Sequence, residues 1–148
     1  MNVLKNFVIK EVGAPVGAAN NTDANSDRID MAGYEGVVFV CPITDSVQGG
    51  VAALTVEQNT ADSDTGMAAL SGAVDNATSA ENDDLNDTLL VVEVHKPRER
   101  YVQAVRTSTT QNIAFGNVIA ILYGARKLPV TLDATVQDGA LVASPAEA

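Results

Sequence analysis

The chain has 148 residues, a formal net charge of −10 at pH 7, 46% hydrophobic residues, 19% charged residues and 4% aromatic residues with no Trp. That length suits one domain with an aliphatic core, burying roughly 70% of its extended-chain surface, and the apolar content is too high for a disordered acidic tail. A single Cys41 and a single His95 exclude an intrachain disulfide and a His/Cys zinc site, while the acidic balance argues against a broad nucleic-acid face.

Along the chain, residues 3–9 form a candidate first strand, and the Asn/Asp-rich stretch 20–27 reads as a loop because these side chains hydrogen-bond their own backbone. Residues 35–41 are a continuous apolar run, expected to form a central strand covered on both faces and closed by Pro42. After a turn at 48–50, residues 51–58 alternate, with Ala52, Leu54 and Val56 on one face. The stretch 59–87 is small-residue-rich and acidic, and reads as one long loop with a helical turn near Met67 and Leu70.

Residues 88–95 alternate again, with Leu90, Val92 and Val94 inward and Glu93 and His95 outward. The charged turn 96–100 then leads into 101–106, and these two strands are expected to pair antiparallel. Residues 112–115 form a short strand or the front of a kinked one, with Gly116 at the bend. A second continuous run, 117–123, ends at Gly124; weaker candidates are 128–132 and 140–142.

Seven or eight short strands, with no alternating amphipathic helices, predict an all-β fold: an antiparallel β-sandwich or barrel, jelly-roll-like, with one long acidic loop and little helix. The expected divisions are an N-terminal arm over 1–29 carrying the first strand, a β domain over 30–132 and a C-terminal tail over 133–148. No apolar run reaches the ~18 residues of a membrane span, and residues 1–7 lack the apolar stretch of a signal peptide, so the chain is read as soluble and made in the cytoplasm.

A search for chemistry yields little. His95 is a solvent-facing strand residue, and Cys41 ends an apolar strand where a small core side chain belongs. Residues 23–27 mimic the first ligands of a calcium loop, but Arg28 stands where Gly is needed and Tyr34 where a bidentate Glu belongs. There is no phosphate loop, no acid pair in contrasting surroundings and no aromatic stacking platform. No catalytic, cofactor-binding or metal residue is therefore assigned, and the chain is not read as an enzyme.

Charge is distributed unevenly. Between Arg28 and Lys96 there are twelve carboxylates and no basic residue, whereas six of the nine basic residues lie between 96 and 127. A basic edge meeting an acidic partner or a neighbouring subunit is the functional reading of that asymmetry.

Three stretches carry a resemblance: 30–40 with its Tyr34-Glu35-Gly36 turn, 88–102 with Lys96-Pro97-Arg98-Glu99-Arg100-Tyr101-Val102, and 110–130 with Tyr123-Gly124-Ala125-Arg126-Lys127. Over most of residues 30–130 the chain resembles the capsid decoration, or cement, proteins of tailed bacteriophages. That resemblance implies a homotrimer that docks on the exterior of the capsid, binds the major capsid protein and stabilises the shell, with no cofactor, no direct nucleic-acid contact and no membrane. The expected capsid or subunit interface comprises Val3, Leu4, Phe7 and Ile9 in the arm, and Arg98, Arg100, Arg106, Arg126 and Lys127 at the basic edge. A head-tail connector or tail component is the alternative, followed by a small-ligand-binding β domain.

Overall fold

The structure, a computed structural model, describes residues 1–144, 146 and 147. It begins with one short helix, α1 (Val3–Asn6), whose N-cap Asn2 accepts a hydrogen bond from the Lys5 amide at 3.1 Å. The strand expected over 3–9 therefore starts later, as β1 (Val8–Gly13), once the cap has turned the chain.

The remaining strands are β2 (Val16–Ala19), β3 (Asp23–Asn25), β4 (Ile29–Asp30), β5 (Gly36–Ser46), β6 (Val51–Asn59), β7 (Ala68–Thr78), β8 (Leu89–His95), β9 (Tyr101–Thr109), β10 (Ile113–Phe115) and β11 (Val118–Tyr123). They form two curled antiparallel sheets packed as a sandwich. One sheet has the order β1-β11-β5-β10-β2, with β8 also on β5; the other has the order β3-β9-β6-β7, with β4 also on β9.

Long β5 organises the first sheet. Its residues 36–40 pair with β11 and 36–42 with β8, while Ile43, Asp45 and Ser46 pair with β10. Pro42 does not close the strand as expected. It lies where the pairing passes from one neighbour to the next, and its carbonyl still accepts from the Gly116 amide at 2.8 Å.

Both sheets direct an alternate set of side chains into one core: Val37, Phe39, Cys41 and Ile43 from β5; Ala52, Leu54 and Val56 from β6; Leu90, Val92 and Val94 from β8; and Val118, Ala120 and Leu122 from β11. The expected inward faces of β6 and β8 are thus found, yet β8 and β9 do not pair. β8 joins β5 and β9 joins β6, so the charged turn 96–100 crosses from one sheet to the other. Alternation specifies a buried face equally well for strands that share a sheet and for strands that face each other across the core.

The acidic stretch 59–87 holds β7 at its centre, antiparallel to β6, with an irregularity between Thr55 and Glu57 of the ladder where β7 residues 70–73 bulge out. The expected long loop thereby becomes two shorter ones, and no helical turn forms at Met67 or Leu70. Asn59 organises the first by donating to the Ser63 and Thr65 carbonyls, and Arg28 holds it with hydrogen bonds to Asp62 (2.6 Å) and Asp64 (2.7 Å).

Residues 8–25 supply strands to both sheets, so most of the expected arm belongs to the sandwich. The candidates 128–132 and 140–142 are not strands. Instead the segment after β11 guards the open edge of β1: the Val130 amide donates to the Lys5 carbonyl (3.0 Å), the Glu11 amide to Thr135 Oγ1 (3.0 Å), and Lys10 pairs with Asp133 at 3.6 Å. At β8 the Val91 amide donates to Asp75 Oδ2 of β7 at 3.0 Å.

Candidate interaction surfaces

Two surfaces stand out: a charged groove at one end of the sandwich and an apolar face on one side. The groove, about 650 Å³, lies between the turn 31–35, the crossing turn 96–100 and residues Gly124 and Arg126 after β11. These segments converge because β5 begins, β8 ends and β11 ends at the same end of one sheet.

The groove brings together Arg98, Arg100 and Arg126 from the expected basic edge, with Lys127 next in the chain. Arg100 is engaged: its guanidinium donates two hydrogen bonds to Asp30, at 2.9 and 2.8 Å, and lies 5.4 Å from the Tyr101 ring centre. Lys96 is 3.5 Å from Glu35. Among the described residues, Arg98, Arg126 and Lys127 have no ion-pair partner.

The Arg100 pair has a pH signature. Hydrogen bonds from Arg100 and then from the Ala32 amide hold the Asp30 carboxyl at about 2, below its ordinary 3.8. A depressed carboxyl stabilises the fold above its unfolded value, and that contribution fades as pH falls through about 2. Asp30→Asn should therefore lower the unfolding temperature modestly at pH 7, since the pair is exposed, and by much less at pH 2. Thermal melts of both proteins at the two pH values check this; an equal effect at both would show that the pair contributes nothing.

Arg106 does not join the basic edge. It is 2% exposed and reaches across the core, where Nη1 donates to the carbonyls of Ala14 (2.6 Å) and Gly116 (3.0 Å). It was expected outside because a lone Arg on a strand ordinarily faces water. The alternation of β9 instead places it on the same face as Val102 and Ala104.

The apolar face is the outward side of β1, β11, β5 and β8. Cross-strand registers give two neighbouring rows, Ile9-Ile121-Val38-Glu93 and Glu11-Ile119-Val40-Val91, followed by Pro42 beside Leu89. Leu89 is 58% exposed and Val91 44% exposed. The runs 35–41 and 117–123 thus pack against the core on one face, while on the other Val38, Val40, Ile119 and Ile121 are only half-buried, where antiparallel sheets ordinarily carry polar residues. The signal was present in the sequence: between their ends, residues 36–41 and 118–122 offer no polar alternate position.

One end of this face carries a polar cluster. Gly36 sits under the Tyr123 ring, where a Cβ would collide with it. Burial, and then the Glu93 carboxylate, push the Tyr123 phenol up to about 12, so it stays protonated and donates to Glu93 Oε1 at 2.5 Å. His95 Nδ1 lies 3.1 Å from the same hydroxyl. Of the expected arm residues, Ile9 lies on the apolar face; Val3 is 51% exposed on α1, whereas Leu4 and Phe7 are half-buried.

Cys41 is buried in the core, and desolvation pushes its thiol up to about 11. Among the described residues no group of three His, Cys, Asp or Glu side chains is placed to hold a metal ion.

No family model matches the chain, and no curated protein matches it. Among solved structures, the fold is similar to the PBSX exported protein XepA, with a TM-score of 0.50 and 13% identity, over 90% of this chain and 44% of that one. A structure of infectious bursal disease virus, Gx strain, matches with a TM-score of 0.44 and 8% identity, over 79% of this chain and 31% of that one. The chain spans less than half the length of either protein, and at these identities the likeness is one of fold.

Proposed function

We propose that this protein is a non-enzymatic structural part of a tailed-phage virion, a decoration or cement protein that binds the major capsid protein on the exterior of the shell and stabilises it. The observation that carries this reading is the apolar outward face of the first sheet. Rows of Ile and Val on a solvent-facing antiparallel sheet cost solubility, and they are stabilising only when another protein buries them.

The groove supports the same reading as a second, polar contact. Arg98, Arg126 and Lys127 are cations without partners in a chain of net charge −10, suited to an acidic patch on the shell or on an adjacent subunit. A protein held at high copy number on a lattice also gains from an acidic exterior, which keeps free copies soluble.

Leu89→Lys combined with Val91→Glu should test the docking face. Both side chains are exposed, so the domain should keep its unfolding temperature, whereas occupancy of purified shells should fall at least about tenfold, because a buried interface would then have to desolvate two charged groups. Quantitative mass spectrometry of shells, before and after adding each protein, reads the occupancy. Wild-type occupancy by the double variant would overturn the placement, and a single ring's worth of copies in intact virions would favour a connector or tail component.

A further inference from the structure

The two ends of the sandwich differ in charge. At the end opposite the groove, four connections meet: the Gly49 amide bonds the Ser79 carbonyl, Val47 bonds Asn112, Gln48 bonds Asn82, and Asn20 bonds Thr110. None of these connections, over 20–22, 47–50, 79–88 and 110–112, contains a Lys or Arg. The 79–88 connection alone holds Glu81, Asp83, Asp84 and Asp87, all exposed.

That connection is built as a firm projection. Asp84 accepts from Ser79 Oγ (2.7 Å) and from the amides of Ala80 (2.8 Å) and Glu81 (3.3 Å), and the backbone of Asp83 and Asp87 is anchored to the Ser46 and Ile43 carbonyls. Asp84 is thus occupied inside the turn, while Glu81, Asp83 and Asp87 remain free of cations among the described residues. At the other end, the groove presents Arg98 and Arg126, likewise without ion-pair partners, in a space of about 650 Å³.

We infer that copies of this protein associate head to tail, the acidic 81–87 turn of one copy entering the Arg98/Arg126 groove of the next. Charge complementarity names the occupant: Glu35 and Glu99 also line the groove, yet Arg98 and Arg126 have no ion-pair partner there, just as Glu81, Asp83 and Asp87 have none at the other end among the described residues. The contact is heterologous, so successive copies close into a ring or extend as a file, spaced by roughly the ~35 Å that an 11-residue strand spans. The inference deepens the proposed function by assigning its subunit contact. It rests on that reading only for the crowding of copies on a shell that favours the contact.

The test needs no capsid. Sedimentation velocity at low salt should show self-association of the wild-type protein that is lost at about 1 M NaCl, where the screening length is about 3 Å. Arg98→Glu with Arg126→Glu should weaken it at least about tenfold, and so should Asp83→Lys with Asp87→Lys. An equimolar mixture of the two double variants should associate again, because each reversed end meets a reversed partner. Neutral versions, Arg98→Gln with Arg126→Gln and Asp83→Asn with Asp87→Asn, give the same loss if a reversal impairs folding.

A monomeric wild-type protein at high concentration and low salt would overturn the inference. So would association unchanged by the reversals, or a mixture no larger than its components. Shell binding by the Leu89/Val91 variant is read separately, so failure of either proposal leaves the other standing on its own measurement.

Discussion

Arg106→Ala is expected to lower stability by about 3–4 kcal/mol and the unfolding temperature by about 10 °C. Two effects oppose each other at this position. Burial of an unpaired guanidinium is costly, and desolvation draws its pKa below the ordinary value of 12.5, so removing it returns that cost. Against this, alanine leaves a cavity between the sheets and strips the hydrogen-bond donor from the Ala14 and Gly116 carbonyls, which lie at the two places where the first sheet changes strand. The orphaned carbonyls and the cavity together outweigh the relief, because both carbonyls stay in the interior while the cation's desolvation is already eased by their bonds.

Arg106→Met separates the two contributions. It fills most of the volume without the charge, so it should cost less than alanine by about 1–2 kcal/mol while still leaving the carbonyls unpaired. Chemical denaturation of the three proteins is the check. A fall of less than about 1 kcal/mol for Arg106→Ala would mean that the side chain does not bridge the sheets.

Phe39→Ala should be as damaging, at about 3–5 kcal/mol, whereas Val40→Thr on the next residue should cost less than about 1 kcal/mol. Phe39 is fully buried on β5 and is one of only three Phe in the chain, so its removal empties a large volume of an otherwise aliphatic core. Val40 points the opposite way, into the row Glu11-Ile119-Val40-Val91 on the outer face. A threonine hydroxyl there stays hydrated and keeps the β-branched shape that suits a strand. Equilibrium unfolding decides the matter: comparable losses at both positions would show that the outer face is covered within the chain itself, removing the basis for docking.

The charged turn 96–100 shows how far local pattern reaches. Its composition marks a connection between two half-buried strands, and the connection is there. Whether it joins neighbours in one sheet depends on hydrogen bonds that β8 makes with β5, some fifty residues earlier, and that β9 makes with β6. The short strands β2, β3 and β4 escaped notice for a related reason. Asn, Asp, Gly and Ala dominate them, so their extended form comes from pairing with β10 and β9 rather than from their own preference. β7 is the same case at greater length, a small-residue strand held on β6.

For the candidate site, the cluster of cations after residue 95 was legible, and four of its members, Lys96, Arg98, Arg100 and Arg126, do meet in one groove. Their pairing was not: Asp30 reaches Arg100 from seventy residues away and neutralises it, which leaves Arg98 and Arg126 as the available charges. The apolar outer face could have been read from the unbroken runs 35–41 and 117–123, but such a run signals apolar positions on both sides of a strand without saying what lies against either.

By itself, then, the amino-acid pattern determined the all-β class, the inward faces of β6 and β8, an aliphatic core and the separation of acidic from basic segments, because each follows from residues adjacent in the chain. Tertiary structure alone decided that Arg106 lies inside, that β8 and β9 belong to different sheets, that one sheet leaves its apolar back only half-buried and that the unpaired Arg98 and Arg126 lie at the opposite end from the acidic 81–87 turn. Those outcomes depend on which distant strands pair and on the direction in which each is packed, and a two-residue period is the same for every such arrangement.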